Sequence, residues 1–286
     1  RRTAERLTSL PDDVGVHALF GALPPGEQDE AVRPAREGQR KIVLATDIAE
    51  SALTIDGVHI VVDSGLARVP EFEPASGTQV LRTIRAAKAN VDQRRGRAGR
   101  LSPGVCYRLW DEEETRGLIA APVPEILNAD LSGLLLSLAE WGEDDPYRLT
   151  WLDAPPRGRL DAAREALVAY GALDEAGKLT ARGKEMAALP LDPKYGSLVA
   201  SATSDGERAL AAEIAALASE AGMGGRSASI SDRLNGFRRD NGPRAKALKR
   251  QAERWSNGAR PSGDPALLLA KAWPGQIARR RDGSDT

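Results

Sequence analysis

Cysteine is nearly absent from the chain: one residue, Cys106, stands among 286, so no internal disulfide can form. Histidine is almost as scarce, with His17 and His59 alone, which excludes a zinc cluster of the usual Cys/His kind. No apolar run approaches the ~20 residues that span a bilayer, and no basic-then-apolar leader opens the chain. No membrane partner is expected, and the cytoplasm is the default compartment. A phosphate loop of the form G-x-x-x-x-G-K-[ST] is also missing, so the chain has no lysine-bearing cradle of its own for a nucleoside triphosphate.

The hydrophobic share of 41% and charged share of 28% describe an ordinary soluble protein with room for two or three domains. A formal net charge of -1 conceals an asymmetry: residues 226–281 hold fourteen Lys/Arg against four Asp/Glu. That basic third is what a nucleic-acid partner or a set of solvated helix faces would give. Because the chain begins at Arg1-Arg2 without methionine, and both ends fall beside apparent helices, it is expected to be an internal piece of a longer protein.

Val16-His17-Ala18-Leu19-Phe20, Lys41-Ile42-Val43-Leu44-Ala45 and Val58-His59-Ile60-Val61-Val62-Asp63 are short β-branched or apolar runs separated by helical patterns. Such an order predicts a parallel sheet in an α/β layer, with strands buried on both faces and Cys106 in a further buried strand. Residues 69–73 and 79–84 flank the turn cluster Pro74-Ala75-Ser76-Gly77-Thr78, which predicts a protruding β-hairpin. Beyond Pro122 the pattern turns helical. Helices are expected over residues 124–141, 159–170, 205–221, 231–255 and 266–273, with a small wing at 173–180 and a linker at 261–265.

Two segments carry chemistry. Gln93-Arg94-Arg95-Gly96-Arg97-Ala98-Gly99-Arg100 packs four guanidiniums and two glycines into eight residues. Arginine offers phosphate a planar fork, and glycine lets a backbone approach an anion. Taken alone, the run reads as a solvated basic loop or a nucleic-acid-binding patch. The second segment, Thr46-Asp47-Ile48-Ala49-Glu50-Ser51-Ala52-Leu53-Thr54-Ile55-Asp56-Gly57, follows the strand ending at Ala45. Loops at the carboxyl ends of parallel strands are where open α/β sheets hold ligands.

Together these segments resemble motifs V and VI of the DEAH-box helicases, the second at every fixed position of QRxGRxGR. Leu19-Phe20-Gly21-Ala22-Leu23-Pro24 with Gln28 resembles their motif IV. Leu173-Asp174, Gly177-Lys178-Leu179-Thr180, Gly183 and Met186-Ala187-Ala188-Leu189-Pro190-Leu191 are similar to their winged helix, and Leu267-Leu268-Leu269-Ala270-Lys271-Ala272-Trp273-Pro274 to the region that follows it in the HrpB-type branch. The resemblance implies a RecA-like parallel-sheet domain with a protruding β-hairpin over residues 1–122. It further implies a winged helix over 123–193, a helical bundle over 194–258 and the start of a further region over 259–286.

By the same resemblance, Arg97 and Arg100 are arginine fingers and Gln93 positions the attacking water or contacts the γ-phosphate. Thr54, Asp56 and Gly96 would approach the nucleotide, while Thr46, Asp47 and Gly21 would contact nucleic acid. ATP with Mg2+ is the implied cofactor, its metal ligands lying in a first RecA-like domain not found in this chain. Single-stranded nucleic acid, in this family RNA, and that first domain are the implied partners.

Some positions depart from the family pattern: Asp47 stands where asparagine is usual, Ser51 and Ala52 replace Thr and Ser, and Ala87 replaces Ser. A carboxylate at position 47 should weaken or redirect a contact to a phosphate backbone. Lacking the phosphate loop and the Asp-Glu-Ala-His box, the chain alone should not hydrolyse ATP. The readings carried forward are the C-terminal part of an ATP-dependent helicase motor, a non-enzymatic nucleic-acid-binding or regulatory module, and a DNA-directed or degenerate helicase relative.

Overall fold

Strands β1 (Val14–Leu19) and β2 (Arg40–Ala45) pair in parallel with Leu19 beside Ala45, so both deliver their carboxyl ends to the same edge. The computed structural model describes residues 2–7, 9–21, 23–50, 55–73, 78–220 and 222–277. The chain divides into two compact units, residues 1–129 and 130–286.

In the first unit, α1 (Arg2–Arg6) precedes β1, and α2 (Pro25–Val32) lies between β1 and β2. Pro25 opens α2 because the first helical position needs no amide donor. Ala31 of α2 and Leu19 of β1 are fully buried. Next come β3 (Ile60–Asp63), β4 (Leu66–Glu73), β5 (Thr78–Arg85), α3 (Lys88–Ala98), β6 (Val105–Arg108) and α4 (Glu112–Arg116). β3 pairs in parallel with β6, and β4 with β5 in an antiparallel hairpin running from Leu66 opposite Arg85 to Glu73 opposite Thr78. The expected hairpin is present; its turn residues 74–77 lie outside the described residues.

The expected parallel pairing is present, as two separate pairs among the described residues. Three other expectations need correction here. The β3–β6 pair is not buried on both faces, since the alternating residues Ile60, Val62, Val105 and Tyr107 face solvent while Asp63 is buried. Cys106 is half-buried, and burial pushes its thiol up from its ordinary pKa. The Arg/Gly run is also no loop. Residues 93–98 belong to α3, whose Val91 and Ala98 are buried and whose first amides donate to the carbonyls of Ile119 and Ala120.

The second unit contains α5 (Ser132–Trp141), α6 (Arg157–Ala169), α7 (Ala181–Ala187), α8 (Pro193–Ala200), α9 (Asp205–Ala218), α10 (Ile230–Arg239), α11 (Pro243–Trp255) and α12 (Pro265–Ala272). Between α6 and α7 the wing closes through an antiparallel bridge of Leu173 and Leu179. α9 is buried all round, with Leu210, Ala211, Ala212, Ile214, Ala215, Ala216 and Leu217 sealed from water, as a central helix must be. Leu198 of α8, Leu234 and Phe237 of α10, Leu248 and Trp255 of α11, and Leu268 of α12 complete one core around it.

Expected helix boundaries move for local reasons. The helix expected over 124–141 starts only at Ser132, because a single turn of 3-10 helix follows Pro124 and the Asp130 carboxylate then accepts from the Ser132 amide at 2.8 Å. The helix expected over 231–255 is two helices. Asp240 accepts from the Gly242 amide at 2.8 Å and Pro243 restarts the next helix, having no amide to continue the first. The expected last helix shifts by one residue to Pro265–Ala272, with Asp264 as its cap.

Candidate nucleotide and nucleic-acid site

β2 delivers Thr46 and Asp47 to the sheet edge, where Asp47–Ala49 forms one 3-10 turn and Glu50 closes it. The Thr46 amide donates to the Leu19 carbonyl at 3.1 Å, which places Thr46 beside the Phe20-Gly21 turn that follows β1. Gln28 of α2 braces that turn, donating to the Leu23 carbonyl at 2.8 Å and to the Gly21 carbonyl at 3.4 Å. The residues expected to meet nucleic acid, Gly21, Thr46 and Asp47, are therefore neighbours, and all three are exposed.

α3 carries the other half. Gln93, Gly96 and Arg100 are exposed, and a methyl group added at Gly96 would meet nothing within 4 Å. The glycine thus leaves room at the helix surface and is not required by an unusual backbone angle. Arg97 is half-buried, and its guanidinium donates to the Glu50 carbonyl. Asp56 is exposed in a turn before β3, and Thr54 lies outside the described residues, as do Ser51, Ala52 and Leu53.

Between the two halves sits Arg94, which the motif reading counted only as one more guanidinium. Its side chain is 15% exposed and binds Asp63, 1% exposed, and Glu50, 9% exposed. Nε donates to Glu50 Oε1 at 2.5 Å, and Nη1 donates to Asp63 Oδ1 at 2.9 Å and to the Leu66 carbonyl at 3.0 Å. Nη2 reaches Asp47 Oδ1 at 3.3 Å. Asn90 donates to Glu50 Oε2 at 2.5 Å, and the Gly65 amide to Asp63 Oδ1 at 2.9 Å. Arg94, a fixed position of the QRxGRxGR run, forms with Glu50 and Asp63 a brace behind the exposed site groups, a role that sequence reasoning did not assign. A helical reading would have found Arg94, which falls on the inward stripe of α3 between Val91 and Ala98.

The electrostatics follow from this packing. Burial works against the Arg94 charge, but hydrogen bonds to Asp63 and Glu50 outweigh it and hold the guanidinium above its ordinary pKa. Asp47 is also raised above its ordinary pKa, which for a carboxylate disfavours the charged form. Burial is the main cause and Glu50 adds to it, against the pull of Arg94 and the Arg68 amide. Asp47 does not cap the 3-10 turn in the usual sense, because Thr46 holds the cap position and makes no side-chain cap bond. Among the described residues, no group of three or more His, Cys, Asp or Glu side chains could hold a metal ion.

In the second unit the basic surface is partly spent on ion pairs. Arg238 binds Glu213 at 2.6 Å, Arg244 pairs with Glu220, and Lys249 donates to the carbonyls of Arg238 and Asp240 at 2.8 and 2.7 Å. Lys246, Arg250 and Arg254 remain exposed at intervals of four along α11, so one helix face presents them as a row.

Residues 1–102 match the helicase conserved C-terminal domain, and residues 163–191 match the helicase associated domain (HA2), winged-helix. The chain is 42% identical to the ATP-dependent RNA helicase HrpB of Escherichia coli over 285 residues, covering 98% of this chain and 34% of that protein. It is 39% identical over 199 residues to the pre-mRNA-splicing factor ATP-dependent RNA helicase DEAH10 of Arabidopsis thaliana, covering 68% of this chain and 28% of that protein. A crystal structure of the Escherichia coli DEAH/RHA helicase HrpB superposes with a TM-score of 0.88 at 40% identity, covering 98% of this chain and 36% of that one. The chain spans about a third of the length of HrpB. Matching both helicase domain models, and similar to HrpB along nearly its whole length, the chain belongs to the DEAH-box helicase family.

Proposed function

We propose that this chain is the C-terminal part of the motor of an ATP-dependent RNA helicase, a cytoplasmic enzyme that couples ATP hydrolysis to movement along or unwinding of RNA. The observation that carries this reading is the placement of motif VI on the end of α3 and the turn that follows it. Gln93 of α3 and Arg100 just beyond it are exposed, and Arg97 is held on the Glu50 carbonyl, beside the strand ends that carry Gly21 and Thr46. Phosphoryl transfer is catalysed mainly by positioning and by positive charge set against developing negative charge. Open space at Gly96 and the exposed fork of Arg100 fit a triphosphate held by a first RecA-like domain of the same protein. ATP bound there with Mg2+ would supply the phosphoryl group; Gln93, Arg97 and Arg100 would orient it and stabilise its charge.

Single-stranded RNA would engage Thr46, Gly21 and the β4–β5 hairpin in the first unit and, as a separate contact, the row Lys246, Arg250 and Arg254 in the second. Binding of that kind engages the phosphate backbone, so affinity should be tolerant of sequence and steep in salt. Filter binding of the isolated chain to RNA single strands across a salt series tests this. Each Ala substitution in the α11 row that removes one phosphate partner should lower the log-log slope by about 0.7. Affinity independent of salt would refute the reading, as would ATP turnover by the isolated chain above a matched blank.

A further inference from the structure

We propose that Arg94 is the positioning residue through which nucleic acid on the motif V side sets the arginines of α3, an inference that rests on the function proposed above. Its guanidinium touches three separate segments at once. Glu50 and Asp47 belong to the turn after β2, Asp63 ends β3, and Leu66 is the first residue of the hairpin strand β4. One further bond extends the reach of this cluster, because Glu50 presents its carbonyl to Arg97. A displacement of the turn or of the hairpin is therefore carried to α3 through one nearly buried side chain.

Arginine is needed for this, because its planar fork aims donors in several directions while lysine offers one compact charge. The charge balance argues against a device for stability alone. Three carboxylates face one guanidinium, and Asp63 Oδ2 is buried with no hydrogen-bond partner. A buried ion pair is weak evidence of stabilisation and is better suited to fixing one arrangement of segments. With three carboxylates and a hairpin carbonyl around one cation, Arg94 can be shared between the turn and the hairpin as either one moves.

The test uses the full-length protein that carries this chain, with Arg94→Lys and Glu50→Gln made singly and together. ATP turnover is measured with and without single-stranded RNA, alongside RNA affinity and melting temperature. Basal turnover and RNA affinity should stay within about threefold of wild type in both single variants, while stimulation by RNA falls about tenfold. The double variant should be no worse than the poorer single one, as expected for residues in one network. If Arg94→Lys fails to fold, Glu50→Gln decides the question by itself. RNA stimulation retained in a folded variant overturns the inference. So does a parallel fall of basal and stimulated turnover, which is what a purely structural role gives, and so does an additive double variant. A wild-type protein with no RNA-stimulated turnover overturns the proposed function, and this inference with it.

Discussion

Replacing Arg94 by methionine keeps most of the side-chain volume but leaves Glu50 and Asp63, 9% and 1% exposed, without their cation. Breaking a buried pair by removing one partner costs about 3–5 kcal/mol, because the remaining charge stays desolvated and uncompensated. Here two carboxylates are stranded by one substitution, and Arg94 itself is only 15% exposed, so solvent screening offers little relief. The loss should be local. α3, the end of β3 and the start of β4 meet at this side chain, whereas the second unit has its own core. Native-state hydrogen exchange read by mass spectrometry suits the question, since the two units need not unfold together. Peptides covering α3 and β3 should lose protection by roughly two to nearly four powers of ten, the equivalent of that energy at about 1.4 kcal/mol per decade. Peptides from α9 should not change. Arg40→Met serves as the control, because its ion pair with Asp13 is exposed and should be nearly silent. A loss of less than about tenfold at α3 would refute the view that Arg94 holds the two motifs together.

Other outcomes are expected in the second unit. Glu207, hydrogen-bonded first by the Thr203 hydroxyl and amide and then by Lys271, is lowered from 4.5 to about 2. A depressed carboxylate contributes stability that is present above pH 4.5 and lost as pH falls towards 2, so Glu207→Gln should flatten the stability profile across that window in urea melts; a variant with the wild-type profile contradicts this. Gly183→Ala should destabilise by about 1–3 kcal/mol despite the better helix former, since its Cβ would stand 2.1 Å from the Ala172 carbonyl oxygen, a backbone atom that cannot step aside. Gly196→Ala, whose nearest neighbour would be Met186 Cβ at 3.6 Å, should be neutral or gain up to about 1 kcal/mol, and thermal melts of the two glycine variants check both outcomes.

Much of the fold was legible in the sequence where short-range chemistry decides it. The runs at residues 41–45 and 58–63 became β2 and β3, and the flanks of the Pro74–Thr78 turn cluster became β4 and β5. The wing followed from residues 173–180, where the Asp174 carboxylate accepts from the Lys178 amide at 2.8 Å and Gly177 takes a positive φ of 80°. Legibility failed where periodicity was trusted over its interruptions. Gly242-Pro243 was visible in the text, yet the basic pattern running through residues 231–255 masked it as one helix. At the site, Gln93, Arg97 and Arg100 could be named from motif spacing. The inward stripe of α3 could have singled out Arg94 as well, but not its partners, because Glu50 and Asp63 stand 44 and 31 residues away and only folding brings those carboxylates to it.

The account rests on Arg97 of α3 and Arg100 just beyond it acting on a nucleotide held by a first RecA-like domain, and steady-state ATP turnover by the full-length protein tests that most directly. Arg97→Ala and Arg100→Ala should each lower kcat by about 10³-fold or more while RNA affinity stays within a few-fold, because an arginine finger acts on transition-state charge. Lysine at either position should not restore turnover, since it cannot reproduce the planar fork. Turnover close to wild type in both alanine variants would contradict the account and leave α3 with a structural role alone.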